Sequence, residues 1–484
     1  MARGLGPVLS PRQCTRLKEV PMSHGNDVYG YLPEERPDTP RLILYAIQQV
    51  IVMFPATITV ALITGFQVST TIFASGLATL CFILITGKKI PLYYGSSFAY
   101  LSAVASMAVA EGTPEQLAAW EATGILPTEL ISKAQFGIIM SGFVSIAAGL
   151  IVRKFGKEAV EKILPPSITG PISMIIGLTL AGNALGDAVS TAEGPIASAW
   201  LVVSLVTLLS TIFYSKYLKG FLGQIPLLLG AATGCIVAAL FYLVGGADLN
   251  LFRTIADESL NSLWSVGPFA VPAFSLPMFS MTALVAIMPI AIATIPESTA
   301  HMYQLDIYVN DVAKKKGVKM DYSLIDLLDR NLIGDGLCDM VSGFVGGPAG
   351  TNYGENISTM AITRVFSVPV LAVASIFAMV VACFTPLIKV IYGIPLAVIG
   401  GLEVYLFGAI AAQGIAIMID KSVDMFSSKN IAVIAAIMVI GLGGQYQFGG
   451  NIPFFGMSIP CVAGASIFGI LLNALLSIGE KDEA

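Results

Sequence analysis

Two carboxylates and a histidine sit in stretches that are otherwise almost free of charge. Glu297 and His301 lie in the run MPIAIATIPESTAHMY, four residues apart, a spacing that puts both on one face of a helix. Pro296 precedes Glu297 directly, and its missing N–H loosens the helix around the carboxylate. Ser298 and Thr299 stand beside it as supporting hydroxyls. Glu355 and Asn356 follow Tyr353 and Gly354 in TNYGENISTMAITR, at the start of a short apolar run. An ionisable group at bilayer depth costs several kcal/mol unless it is paired or faces a cavity, so it points first to a ligand or ion pathway. Two converging carboxylates can accept from an N–H donor ligand and carry a proton with it. The plainer readings are a satisfied Glu297–His301 pair and a helix-capping Glu355. Around these residues, Gln48 and Gln49 lie at mid-depth in a long apolar run, and Phe98 and Phe407 offer aromatic faces, which in a membrane helix serve packing far more often than stacking. Asp335, in a GDG step, reads as a gating or turn residue, and Glu403, in GGLEVYLFG, as an interface or gate residue.

The elements that position these groups follow from composition. The 484 residues are 55% hydrophobic and 12% charged, with a mean hydropathy of +0.81. A water-soluble globule needs about 25% charged residues, so the chain reads as an all-α polytopic membrane protein. A net charge of −5 offers no basic surface for nucleic acid. Six scattered cysteines include no CxxC pair, and the two histidines, His24 and His301, are too few for a zinc site or a Ser-His arrangement. No metal, cofactor or catalytic group is expected, which sets aside an intramembrane hydrolase.

Spans of about 20 apolar residues fall at 42–65, 68–86, 132–152, 167–186, 196–215, 221–244, 280–303, 367–388, 394–418, 430–447 and 453–478. Three shorter stretches, 95–110, 333–347 and 355–365, are broken by glycine and polar residues, and counting them as partial crossings gives fourteen. With the N-terminus inside, 23 of the 26 Lys and Arg then fall on the inner face, leaving only Lys133, Arg253 and Lys389 outside. Residues 1–40 hold six prolines and no apolar core, so they read as a disordered cytoplasmic tail rather than a signal peptide, with Met22 a more plausible start than Met1.

Fourteen segments divide as seven plus seven, and a half with an odd count inserts upside down relative to its twin. The sequence carries a weak echo of such a repeat. Tyr94-Gly95-Ser96-Ser97-Phe98-Ala99 opens short segment 3, and Tyr353-Gly354-Glu355-Asn356-Ile357-Ser358 opens short segment 10. Non-helical backbone at membrane depth is tolerated only where protein buries it or a cavity takes it up. Each segment is therefore expected as a short extended stretch followed by a half-helix, whose N–H groups and positive dipole end aim at a midplane ligand.

The string from Glu355-Asn356 to Thr363-Arg364, with GSSFAYLSAV at 95–104, resembles the signature of the nucleobase/ascorbate transporters, also called nucleobase cation symporter family 2. The resemblance runs from about Arg41 to residue 478 and is strongest to bacterial uracil permeases, whose signature begins with Glu where xanthine and uric acid carriers usually have Gln. It implies a core domain of segments 1–4 (41–165) and 8–11 (280–388) and a gate domain of segments 5–7 (166–279) and 12–14 (389–478), between tails 1–40 and 479–484. It further implies import across the plasma membrane by proton symport, elevator-like movement of the core, both termini cytoplasmic, and a homodimer through the gate domains. Glu297 and Glu355 match the substrate carboxylates, Phe98, Tyr353 and Gly354 the lining, and His301 the histidine that links binding to the proton. Asn356, Gln48, Phe407 and Asp335 are secondary candidates. Two departures touch substrate choice: Gln48-Gln49 stands where many relatives have Gln-His, and Phe407 where uracil permeases often have Tyr. A purine carrier of the same family is the main alternative. An anion transporter of the same repeat architecture would want a neutral or basic site instead of two acids. Carboxylates bind H+ or Na+, so the residues leave the coupling ion between them.

Overall fold

Long apolar runs can satisfy their backbone in lipid only by folding into helices or closed barrels, and the chain takes the helical solution. The computed structural model describes residues 30–156, 163–190, 194–246, 249, 251–252, 265–454 and 457–478. The expectations placed on residues 1–29 and 479–484, including the choice of start and His24, lie outside the described residues.

The helices, in order, are α1 (Thr39–Thr64), α2 (Val68–Ile85), α3 (Leu101–Glu111, after a 3-10 turn at Phe98–Tyr100), α4 (Pro114–Thr123), α5 (Thr128–Phe155), α6 (Pro166–Thr179), α7 (Ala181–Ala188), α8 (Pro195–Tyr217) and α9 (Pro226–Gly245). They continue with α10 (Met281–Ile287), α11 (Ala291–Lys316), α12 (Leu328–Val345), α13 (Gly354–Thr363), α14 (Val368–Ala382), α15 (Thr385–Tyr392), α16 (Leu396–Asp420), α17 (Ser428–Phe448) and α18 (Cys461–Leu476). Three antiparallel two-stranded ribbons pair β1 (Tyr94–Ser96) with β4 (Gly350–Asn352), β2 (Ser265–Val266) with β3 (Phe269–Ala270), and β5 (Asn451–Phe454) with β6 (Met457–Pro460). Among the described residues nine helical stretches are long and apolar enough to cross a membrane, counting α6–α7 and α10–α11 as continuous, and three shorter apolar helices span Phe98–Glu111, Val368–Ala382 and Cys461–Leu476. The protein is a multi-pass membrane protein.

Three boundaries differ from the sequence expectation. The span expected to end at residue 303 stays helical to Lys316, where Lys314–Lys316 complement the negative end of the helix dipole and Gly317 closes the turn at φ 68°. The run at 453–478 is a helix only from Cys461, because Pro453, within β5, and Pro460, at the end of β6, hold β5 and β6 as a hairpin. The end of the expected N-terminal tail is docked: Tyr31 N–H donates to the Arg364 carbonyl (2.8 Å), Phe366 N–H donates to the Tyr31 carbonyl (2.8 Å), and Lys316 Nζ bonds Glu35 (2.6 Å).

Small residues let the helices approach closely, as the near absence of a hydrophobic drive between helices in lipid requires. Gly142 of α5 faces Gly336 of α12, and Gly170 of α6 faces Gly414 of α16; a Cβ on any of the four would fall within 3 Å of the opposing carbonyl.

Candidate functional site

The site is built on β1 and β4, a ribbon formed by residues far apart in the sequence, with Tyr94 opposite Asn352, Gly95 opposite Thr351 and Ser96 opposite Gly350. Each strand satisfies backbone groups that the other would leave bare in an apolar interior. Tyr353 N–H to the Tyr93 carbonyl (2.9 Å) and Ser97 N–H to the Ala349 carbonyl (3.0 Å) extend the pairing at both ends. Helical structure begins just beyond each strand, at Phe98 and at Gly354. The two Tyr-Gly steps are therefore not equivalent positions: Tyr94-Gly95 lies within a strand, whereas Tyr353-Gly354 is the strand-to-helix step. Each glycine has its own reason. A Cβ on Gly95 would fall 2.2 Å from the Tyr353 ring, and one on Gly354 would fall 3.0 Å from His301 Nε2.

Glu297, from α11, and Glu355, in the first turn of α13, both line a cavity of about 200 Å3, with Phe98, Tyr353 and Gly354 also in its wall. The six ion pairs among the described residues all lie elsewhere, so no Lys or Arg neutralises either carboxylate. The N-cap residue Tyr353 makes no side-chain cap bond, and the first turn of α13 presents its N–H groups beside the two acids, one of them to the Glu355 carboxylate itself. At the other half-helix Ser97 Oγ takes up the Ala99 N–H (3.3 Å). Acceptor carboxylates next to backbone donors suit a planar ring that carries both N–H and carbonyl groups.

His301 faces a second, larger cavity of about 390 Å3 that shares Glu297, Gly354 and Glu355 with the first. Tyr353 contributes its ring, because its hydroxyl is occupied by Thr57 of α1 (2.9 Å) and the Ser96 carbonyl (3.1 Å). Asn356 is turned away and donates to Gln49 Oε1 (2.7 Å) and to the Gln49 carbonyl (3.0 Å), which makes Gln49 rather than Gln48 the amide that meets the signature. Phe407 lies outside both cavity walls, is 2% exposed, and packs its backbone against Gly177. Asp335 likewise lies outside both walls. It accepts from Ser298 Oγ, which also receives Asn352 Nδ2 (2.7 Å) and Asn331 Nδ2 (3.0 Å), so the neighbour of Glu297 is tied to the strand leading to Glu355. One turn further on, Asp339 accepts from the Tyr94 hydroxyl and the Gly350 N–H (2.9 Å) and so holds both strands. Glu403, on α16, is fully buried.

The opposite walls come from α6 and α16. Thr169, Ser173 and Gln413 line the first cavity, and Leu406, Ala409 and Gln413 line both cavities. Gln413 went unnoticed in the sequence, although a lone amide inside GAIAAQGIAIM was the available signal.

The helices, the broken-strand ribbon and the acid-lined cavity between them define a membrane-embedded carrier. Residues 40–450 match the xanthine/uracil profile described as "Permease family", and the chain belongs to that family. It is 34% identical over 447 residues to a uracil permease of Bacillus caldolyticus (92% of this chain, 94% of that one). It is 32% identical over 456 residues to a uracil permease of Bacillus subtilis (91% and 94%), and 32% identical over 446 residues to a putative pyrimidine permease of Escherichia coli (92% and 91%). These relatives are permeases, not enzymes. Solved structures that share the fold include the murine Solute Carrier 26 family member A9 anion transporter in the inward-facing state (TM-score 0.63, 13% identity, 92% of this chain and 69% of that one), and the transmembrane domain of a cyanobacterium bicarbonate transporter (TM-score 0.54, 14% identity, 90% and 97%).

Proposed function

We propose that the protein imports uracil, or a closely related nucleobase, across the plasma membrane together with a proton. The observation that carries this reading is the pairing of Glu297 and Glu355 in one cavity with no cation between them. Uracil presents ring N–H groups that carboxylates accept and carbonyls that the N–H groups of α13 complement. Glu at position 355 and the pyrimidine-permease relatives favour uracil over xanthine or uric acid. An anion substrate is disfavoured, because two acids would repel it.

In this reading the fourteen segments are the nine long spans, the three shorter apolar helices, α12 and α13, arranged as two inverted sets of seven with both termini cytoplasmic. Residues 41–165 and 280–388 form a core that carries the carboxylates, and 166–279 and 389–478 form a gate that supplies Gln413. The core rises and falls against the gate, and the gate domains of two copies meet in a homodimer. A ligand that covers Glu297 and Glu355 brings a proton with it, since two uncompensated anions facing each other in an apolar site repel. His301, one helical turn from Glu297 on the wall of the second cavity, links that proton to the aqueous phase.

The test is uptake of radiolabelled uracil by cells lacking their own carriers, with excess unlabelled xanthine in one arm and a protonophore in another. The reading requires uptake that xanthine leaves intact and the protonophore collapses. Uptake that xanthine abolishes would move the substrate to the purines, and uptake that follows a sodium gradient would replace the coupling ion.

A further inference from the structure

A groove far from the carboxylates has an opposite pair of charges at its mouth that do not meet. Helices α2 and α14 cross at Gly76, where a Cβ would lie 2.5 Å from the Ser375 carbonyl. Towards the C-terminal end of α2, a groove of about 540 Å3 opens between them. Leu80, Ile83 and Leu84 of α2 form one wall, Val368, Pro369 and Ala372 of α14 the other, and Pro33 and Glu34 of the docked N-terminal segment close its end. Gly87 and Lys88 complete the rim. These last two residues have φ of 72° and 60°, and Lys88 is thereby held in a backbone conformation that lysine seldom adopts. Its ammonium is exposed and makes no ion pair among the described residues, and neither does the carboxylate of Glu34. The Arg330 guanidinium lies beside Gly87, 3.6 Å from where a Cβ would be, and is equally unpaired. Lys89, next to the groove, is engaged over the Tyr322 ring.

We propose that this groove is a binding site for one phospholipid with a primary-ammonium zwitterionic headgroup. Two acyl chains lie along the apolar walls, Lys88 with Arg330 takes the phosphate, and Glu34 takes the ammonium. The chemistry fits because basic pockets between transmembrane helices, at the face where Lys and Arg gather, hold lipid phosphates. A carboxylate on the same rim is unwelcome to a purely anionic lipid and complementary to an N–H-bearing cation. Lys88 and Glu34 are also kept apart in the same groove, which leaves both free for a ligand that spans them. Because Glu34 sits on the segment that joins Arg364–Val368 to Lys316, an occupied groove secures the strap across the ends of α11 and α13. The inference does not depend on the transported substrate.

The test is native mass spectrometry of the purified full-length protein with defined phosphatidylethanolamine, phosphatidylcholine and phosphatidylglycerol of matched chains. One phosphatidylethanolamine should stay bound in preference to the other two. Phosphatidylcholine has the same phosphate and a quaternary ammonium with no N–H, so it isolates the role of Glu34. Lys88→Glu and Glu34→Lys should each weaken retention about fivefold, the effect of roughly one basic residue at a lipid surface. The double exchange should recover part of the loss, and thermal melts would confirm that all three variants fold. Equal retention of phosphatidylethanolamine and phosphatidylcholine, preferred retention of phosphatidylglycerol, or single exchanges that retain lipid like the wild type would each overturn the proposal.

Discussion

At the scale of single residues, the site separates groups that meet a ligand from groups that hold them in place. Glu297 faces the cavity, whereas Ser298 beside it faces inward and gathers Asn331, Asn352 and Asp335 onto one hydroxyl. The two positions should fail differently. Glu297→Gln keeps size and polarity but removes a charged acceptor, worth about 1.5–3 kcal/mol, so uracil binding should weaken about 10- to 150-fold with the melting temperature unchanged. Ser298→Ala leaves three buried polar partners short of a bond, at a cost of about 1–3 kcal/mol, and should show first as a lower melting temperature. A Ser298→Ala protein that melts like the wild type would mean that the hydroxyl does not hold the cluster together. The sequence displayed Glu297, His301 and Glu355 plainly, since charge inside an apolar run is conspicuous. It did not display that Asp335 faces a buried network or that Gln49 rather than Gln48 meets Asn356, because which way a side chain turns on a helix depends on neighbours hundreds of positions away.

At the scale of elements, the β1–β4 ribbon is the part on which everything at the site hangs. Gly95 lies under the Tyr353 ring, and that ring is pinned by Thr57 and the Ser96 carbonyl. Gly95→Ala should push the ring outward, lowering stability by about 1–3 kcal/mol, as overpacking does, and weakening binding at the same time. Gly95→Ala combined with Tyr353→Phe should recover less than Gly95→Ala with Tyr353→Ala, because the clash is with ring carbons and not with the hydroxyl. Equal melting temperatures for those two double variants would contradict the contact. The long spans were readable because about twenty apolar residues have one structural solution in lipid. The β5–β6 hairpin was not, since Ile452, Phe454 and Ile459 carry the apolar run of the following helix back into it, and Pro453 and Pro460 are the clearest marks of the change. The shared motif Tyr-Gly also misled by three residues: strands and half-helices align from Tyr94 with Gly350, not from Tyr94 with Tyr353.

At the scale of the whole molecule, the proposed mechanism needs one set of helices to carry the acids and another to face them. The two cavities share Glu297 and Glu355 from one side and Leu406, Ala409 and Gln413 of α16 from the other, so a ligand between them touches both sets. Gln413→Ala should therefore alter the apparent KM for uracil without abolishing transport, read as a KM-against-kcat split in uptake assays; an unchanged KM would remove α16 from the binding surface. On the proposed function, Glu297 and Glu355 together form the nucleobase site. That pairing is tested most directly by calorimetric titration of uracil into purified wild-type protein and into the Glu297→Gln and Glu355→Gln variants at one pH. The account predicts a single saturable site in the wild type that either substitution weakens at least tenfold in protein that still melts cooperatively. Undiminished uracil binding in both folded variants would contradict it and place the nucleobase elsewhere.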